Sequence, residues 1–207
     1  MSDAITSLTH AREHELVAFR RRLHAQPELS YAEHATTQAI AERLQVTGLH
    51  PQTLEIGTGV ICDVPGNAPG PLVVLRADID ALAMPDGTTT EYRSRREGVA
   101  HACGHDAHTA IVLGAGLVVR ALTEVERVPG TVRLVFEPGE EAVPGGAIDV
   151  IREGWITGAS YILGLHCDPK IDLGQIGLRT GPMTAASDSV EITVRGPGGH
   201  TARPHLT

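Results

Sequence analysis

The stretch PLVVLRADID, residues 71–80, is an apolar run that stops abruptly in charge. A strand covered by packed layers on both faces has this appearance, because neither of its faces can be polar. The same form returns twice: TVRLVFEP (131–138) ends in acid residues and SYILGLHCDP (160–169) ends in His and Asp. Between them, Thr109 to Leu122 reads as a buried helix and GGAIDVIREG (145–154) as a short one. Strand, polar residues and helix, repeated, predict an α/β fold: a sheet with helices on both faces, where ligands bind outside the carboxyl ends of the strands.

Working outward, apolar residues recur at helical spacing from Leu8 to Leu23 and again from His34 to Leu44, before Gly48. Two amphipathic helices are therefore expected, joined around QPELS, with GVICDV (59–64) as a short strand after them. From about Ala186 the character changes. DSVEITVRG (188–196) alternates like a half-exposed strand, and PGGHTARPHLT (197–207) looks like a loop entering a helix. These pieces cannot bury a core by themselves. The expected organisation is one domain over 1–184 and the truncated beginning of a second over 185–207.

The 207 residues are 42% hydrophobic and 20% charged, the profile of a soluble globular chain. A net charge of -8 excludes a phosphate-binding surface, since nucleic-acid binders need clustered cations to displace counterions. The short basic runs RRRL (20–23) and RSRR (93–96) read as solvated faces. The first residues show neither the apolar core nor the cleavage site of a secretory signal. The longest apolar run, Ala110 to Val119, is far short of the roughly 20 residues that cross a bilayer. A cytoplasmic protein is expected, with no nucleic-acid or membrane partner. Cys62, Cys103 and Cys167 match no disulfide framework, which fits a reducing compartment. Cys62 and Cys167 read as plain buried residues, whereas Cys103 does not.

Cys103 sits in HACGHDAH (101–108), where His101, Cys103, His105 and His108 can all ligate a metal. No nucleophile elbow, phosphate loop or C-x-x-C pair is present, and the H-E-x-x-H pattern begun by His14 and Glu15 fails at Ala18. Water is therefore the expected nucleophile. FEPGEE (136–141) adds the adjacent carboxylates Glu140 and Glu141, and GLHCD (164–168) adds His166. Alone, His166 reads as a core histidine and the glutamates as solvated loop acids. Together, at strand ends of one sheet, thiolate, imidazole and carboxylate are a ligand set for an ion such as zinc or manganese. Two neighbouring glutamates suit metal-assisted hydrolysis, one holding an ion and the other taking the proton from water.

RRLHAQPELSYAE, LRADIDALAM, HACGHDAH, FEPGEE, LGLHCDP and GPGGHTARPH stand in the order and spacing of a family of metal-dependent amidohydrolases. The chain resembles hippurate hydrolase, indole-acetyl-amino-acid hydrolases and other N-acyl-amino-acid deacylases, relatives of aminoacylase and carboxypeptidase G. The resemblance implies a three-layer, zinc-exopeptidase-like catalytic domain followed by an α+β lid and dimerisation domain, of which only the start is here. It implies two divalent ions per subunit, zinc or manganese, with Cys103 bridging them and His105, Glu141 and His166 as further ligands. Glu140 would be the general base. His200 would reach into the site of the second subunit of a homodimer and hydrogen-bond the oxyanion.

Asp78 falls where relatives carry an Asp that orients a histidine ligand, but Arg76 replaces that histidine, so only a supporting role follows. Glu137 stands where the family usually has Gln; as a strand end can face solvent, no role is assigned to it. The family's last metal-binding histidine lies farther downstream than Thr207. The expected activity is hydrolysis of the amide bond of an N-acyl amino acid or related small amide. A carboxypeptidase or dipeptidase on the same scaffold, or a metal-binding fragment without turnover, are the alternatives.

Overall fold

The computed structural model describes residues 2–183, 190–200, 202 and 205. Five helices and five strands are found among the described residues: α1 (Ser2–His10), α2 (Glu13–Ala25), α3 (His34–Gln45), β1 (Gln52–Thr53), β2 (Val60–Pro65), β3 (Ala68–Asp78), α4 (His105–Leu122), β4 (Pro129–Glu137), α5 (Ala147–Arg152) and β5 (Tyr161–Gly164). The strands form one mixed sheet in the order β1-β2-β4-β3-β5. β3 runs parallel to β4 and β5, while β2 is antiparallel to β1 and β4. This is the expected α/β architecture.

Side chains alternate between the two faces of a strand, so each strand feeds two cores. Val60, Cys62 and Val64 of β2, Leu134 and Phe136 of β4 and Ala77 of β3 join Ile40 and Leu44 of α3 and Val112, Leu113 and Leu117 of α4. The residues between them, Ile61, Val135 and Val74, pack on the other face with Val150 of α5 and with Trp155 and Ile156. β3 over residues 72–75 and β4 over residues 134–136 are continuously apolar because they serve both cores. Gly116 lets α4 lie close to the sheet: a Cβ there would collide with Leu134.

Several expectations are corrected. The helical run from Leu8 to Leu23 is two helices, broken at Ala11 and Arg12; none of the α1 residues is buried, so no packed face forces it to continue α2. β1 escaped notice because it is two exposed residues long. Arg20 does not belong to a solvated face, since its guanidinium is 2.6 Å from the fully buried carboxylate of Asp106. Cys62 is buried as expected, but Cys167 is exposed.

The chain divides into two compact units, Met1–Cys167 and Asp168–Thr207. In the second unit the described residues 190–196, read as a strand, carry no strand pairing; Val190, Ile192 and Val194 are exposed. An alternating segment becomes a strand only where a partner strand satisfies its backbone. Residues 188 and 189 of that expected strand lie outside the described residues. No helix among the described residues is long and apolar enough to cross a membrane.

Candidate metal centre

The parallel strands β3, β4 and β5 deliver their carboxyl ends to one edge of the sheet. Asp78 is in register with Glu137 and Arg76 with Gly164, so the three ends are nearly level. Past these ends lie Asp80, the turn with Glu140 and Glu141, and His166. α4 begins at His105, entered through Gly104 in the left-handed conformation (φ 92°), which turns the chain sharply between Cys103 and His105.

Hydrogen bonds decide which imidazole nitrogens are available. His108 Nδ1 lies 2.6 Å from Asp78 Oδ1, and its Nε2 accepts the Cys167 N–H at 2.8 Å. Both nitrogens are used, so His108 supports the site rather than ligating. His105 Nδ1 donates to Asp80 Oδ1 at 3.1 Å, which turns Nε2 into the site; burial opposes a charge on the ring, but Asp80, Asp78 and Glu140 raise its proton affinity. That Nε2 is buried and has no hydrogen-bond partner. It lies 3.7 Å from Asp78 Oδ1, 3.7 Å from Glu141 Oε1 and 3.8 Å from Glu140 Oε2. His166 donates from Nδ1 to the carbonyl of Cys167 at 2.8 Å, and its Nε2 is hydrogen-bonded to Cys103 Sγ at 3.2 Å.

Three overlapping groups result, in each of which the donor atoms lie within 4.8 Å of one another: Cys103, His105 and His166; His105, Glu140 and Glu141; and Asp78, His105 and His108. The electrostatics suit the binding of a cation. Burial, then the carboxylates of Glu141, Asp78 and Glu140, push the Cys103 thiol up to about 12. Burial, Asp78 and Glu141 likewise raise Glu140 above the usual carboxylate range. Asp78 is held low: burial opposes its charge, but His108, His105 and Arg76 outweigh that. A buried nitrogen without a hydrogen-bond partner, beside a thiol and a carboxyl whose ionisation is opposed, suits a divalent ion that these groups would hold.

The structure brings together Asp78, Cys103, His105, Glu140, Glu141 and His166 from the sequence reading. His200 belongs to the second unit, where it is exposed and its Nδ1 accepts the Ala202 N–H at 3.2 Å. His101 is buried with neither nitrogen hydrogen-bonded, and burial lowers its pKa to about 4, so it is a neutral ring.

Two features escaped the sequence reading. Asp80 accepts hydrogen bonds from His105 Nδ1, from Ser30 Oγ at 2.7 Å and from the Glu141 N–H at 2.9 Å, tying one ligand ring to the backbone of another ligand. Its signal was the second acid of RADID, two residues beyond Asp78. Arg76 and Glu137, read as two separate departures, are partners. Arg76 places NH1 2.6 Å from Asp78 Oδ2 and Nε 2.8 Å from Glu137 Oε2. Glu137 is therefore buried, not solvent-facing, and although burial works against the Arg76 charge, Glu137 and Asp78 keep it firmly protonated.

Residues 74–206, well over half of the chain, match peptidase family M20/M25/M40. A Rhodococcus jostii (strain RHA1) protein with the provisional name glutamate–cysteine ligase 2-3 is 48% identical over 202 residues, 98% of this chain but 25% of that protein. The N-acetyl-L-cysteine deacetylase of Bacillus subtilis (strain 168) is 42% identical over 193 residues, 93% of this chain and 46% of the relative. Among solved structures, the Bacillus subtilis YXEP protein, described as a dinuclear metal binding peptidase, superposes with a TM-score of 0.78 at 37% identity, over 84% of this chain and 48% of that one. The chain thus spans a quarter to about half the length of these relatives. It belongs to peptidase family M20/M25/M40.

Proposed function

We propose that the protein carrying this chain is a two-metal hydrolase that cleaves the amide bond of N-acyl amino acids or related small amides. The observation that carries this reading is the buried, unpartnered Nε2 of His105, set among Cys103, Glu140 and Glu141 at the ends of three parallel strands. Cys103, His105, Glu141 and His166 would hold two divalent ions, zinc or manganese, whose Lewis acidity activates water near neutral pH and polarises an amide carbonyl. The likeness to a deacetylase of N-acetyl-L-cysteine supports the substrate class.

The chain's own residues then do the following. Glu140, whose raised proton affinity suits a general base, takes the proton of the attacking water and returns it to the leaving nitrogen. Glu141 holds its place through its N–H on Asp80. Asp78 orients His108, which fixes the backbone at Cys167 beside His166. His200, supplied by a second copy in a homodimer, hydrogen-bonds the oxyanion.

The test is hydrolysis of a panel of N-acyl amino acids by the full-length protein loaded with zinc or manganese. Turnover is expected, and Glu140→Gln should lower it about a thousandfold while leaving metal content unchanged. Equal turnover in wild type and variant would remove Glu140 from its role, and no turnover with any acyl amino acid would remove the substrate class.

A further inference from the structure

The loop QPELSYAE (26–33) joins α2 to α3 and supplies no candidate ligand, yet it converges on the turn that carries Glu140 and Glu141. The fully buried Glu33 accepts the Gly139 N–H on Oε1 at 2.7 Å. The Tyr31 hydroxyl donates to the Pro144 carbonyl at 2.7 Å. The Tyr31 ring lies flat against Gly139, where a Cβ would come within 2.6–2.8 Å of ring atoms Cζ, Cε1 and Cε2. The turn is thus gripped at residues 139 and 144, on either side of the two glutamates.

The gripping loop is itself fixed. Glu28 accepts the N–H groups of Ala35 and Thr36, at 3.2 and 2.7 Å, and the Thr36 hydroxyl at 2.9 Å, locking the loop to the start of α3. Tyr31 is the one non-glycine residue with positive φ among the described residues, at 62°. A bulky residue adopts that conformation only where its surroundings over-determine it. Here its ring and hydroxyl are both engaged with the turn.

We propose that Glu33 and Tyr31 are positioning residues for Glu140, holding the backbone at Gly139 and Pro144 so that the Glu140 carboxylate stands where the proton of the attacking water is transferred. This rests on the reading of Glu140 as the general base. Glu33 and Tyr31 touch neither substrate nor ions; they act through the turn. A Gln at position 33 keeps the oxygen that accepts the Gly139 N–H, whereas an Ala does not, so the two substitutions separate tether from charge.

The experiment is a double-mutant cycle of Glu33→Ala with Glu140→Gln in the metal-loaded full-length protein, together with Glu33→Gln and Tyr31→Phe. Turnover, bound metal and amide hydrogen exchange are read for each. Glu33→Ala should lower kcat about a hundredfold, the scale of a misplaced catalytic group, with KM and the number of bound ions unchanged. Glu33→Gln should stay near wild type, and Tyr31→Phe, which keeps the ring on Gly139, should lose activity to a smaller degree. In the Glu140→Gln background, Glu33→Ala should change turnover by less than about twofold, because the group it positions is already gone.

An equal loss in both backgrounds, or a loss of bound ions in Glu33→Ala, overturns the proposal. If Glu140→Gln alone keeps full turnover, the general-base reading falls separately, and exchange still decides whether Glu33 holds the turn. Faster exchange over residues 139–146 in Glu33→Ala but not in Glu33→Gln sustains that hold, and unchanged exchange ends it.

Discussion

Nε2 of His166 lies 3.2 Å from Sγ of Cys103 across 63 residues of sequence, joining the loop after β5 to the loop before α4. A thiol hydrogen bond to the imidazole accounts for the approach, and the proposed ion would replace that proton between the same two atoms. Cys103→Ser should therefore lower metal affinity by more than the roughly 10–100-fold typical of residues that only support a ligand. Inductively coupled plasma analysis after dialysis against a weak chelator measures this. Full metal content in the variant would exclude the thiol as a ligand.

Asp80 is a supporting residue of that kind. It accepts from His105 Nδ1 and from the Glu141 N–H, so Asp80→Ala frees one ligand ring and loosens the other ligand's backbone. The expected loss is about 10–100-fold in metal affinity, read by competition with a chromophoric chelator, with the far-ultraviolet circular dichroism unchanged. Asp80→Asn should fall between, since its amide retains one acceptor oxygen.

Gly116→Ala tests the packing of α4 on the sheet. Its new Cβ would meet Leu134, a fully buried β4 residue that has no room to turn away. Overpacking of this kind costs about 1–3 kcal/mol, which urea unfolding would show as a lower midpoint with little change of slope.

Asp86 sets an acid limit on stability. The Ser94 and Thr88 N–H groups donate to it at 2.7 and 2.8 Å, and His24 Nε2 lies 3.4 Å away; together they lower its pKa to about 2. The folded value lies below the unfolded one, so the stabilisation is complete above about pH 4 and is lost as pH falls towards 2. Asp86→Asn should flatten the stability profile in that window and nowhere else, as followed by thermal unfolding between pH 2 and 5.

The strands that serve two cores, β3 and β4, were legible because burial on both faces leaves a continuous apolar run. The candidate site positions were legible because polar residues follow those runs at once. Pairwise chemistry was not. Arg76 and Glu137 are 61 residues apart and looked like unrelated departures, and only the parallel register of β3 and β4 makes each the reason for the other. Arg20 looked solvated because it lies in a short basic run, while its partner Asp106 is 86 residues away in sequence. Asp80 was hidden by its neighbour Asp78, since sequence alone does not say which of two acids faces which histidine. The start of α2 was misplaced because helical periodicity runs through the break at Ala11 and Arg12 without marking it.

β5 pairs with β3 on one side only among the described residues. Tyr161, Ile162 and Leu163 are exposed along it, and the strand carries no charge, proline or bulge to guard its free edge. Such an edge leaves backbone N–H and C=O groups open to a further strand. Ile162→Lys places a charge beside whichever strand pairs there, so in the full-length protein it should lower the thermal unfolding midpoint if the edge is covered and leave it unchanged if the edge is open.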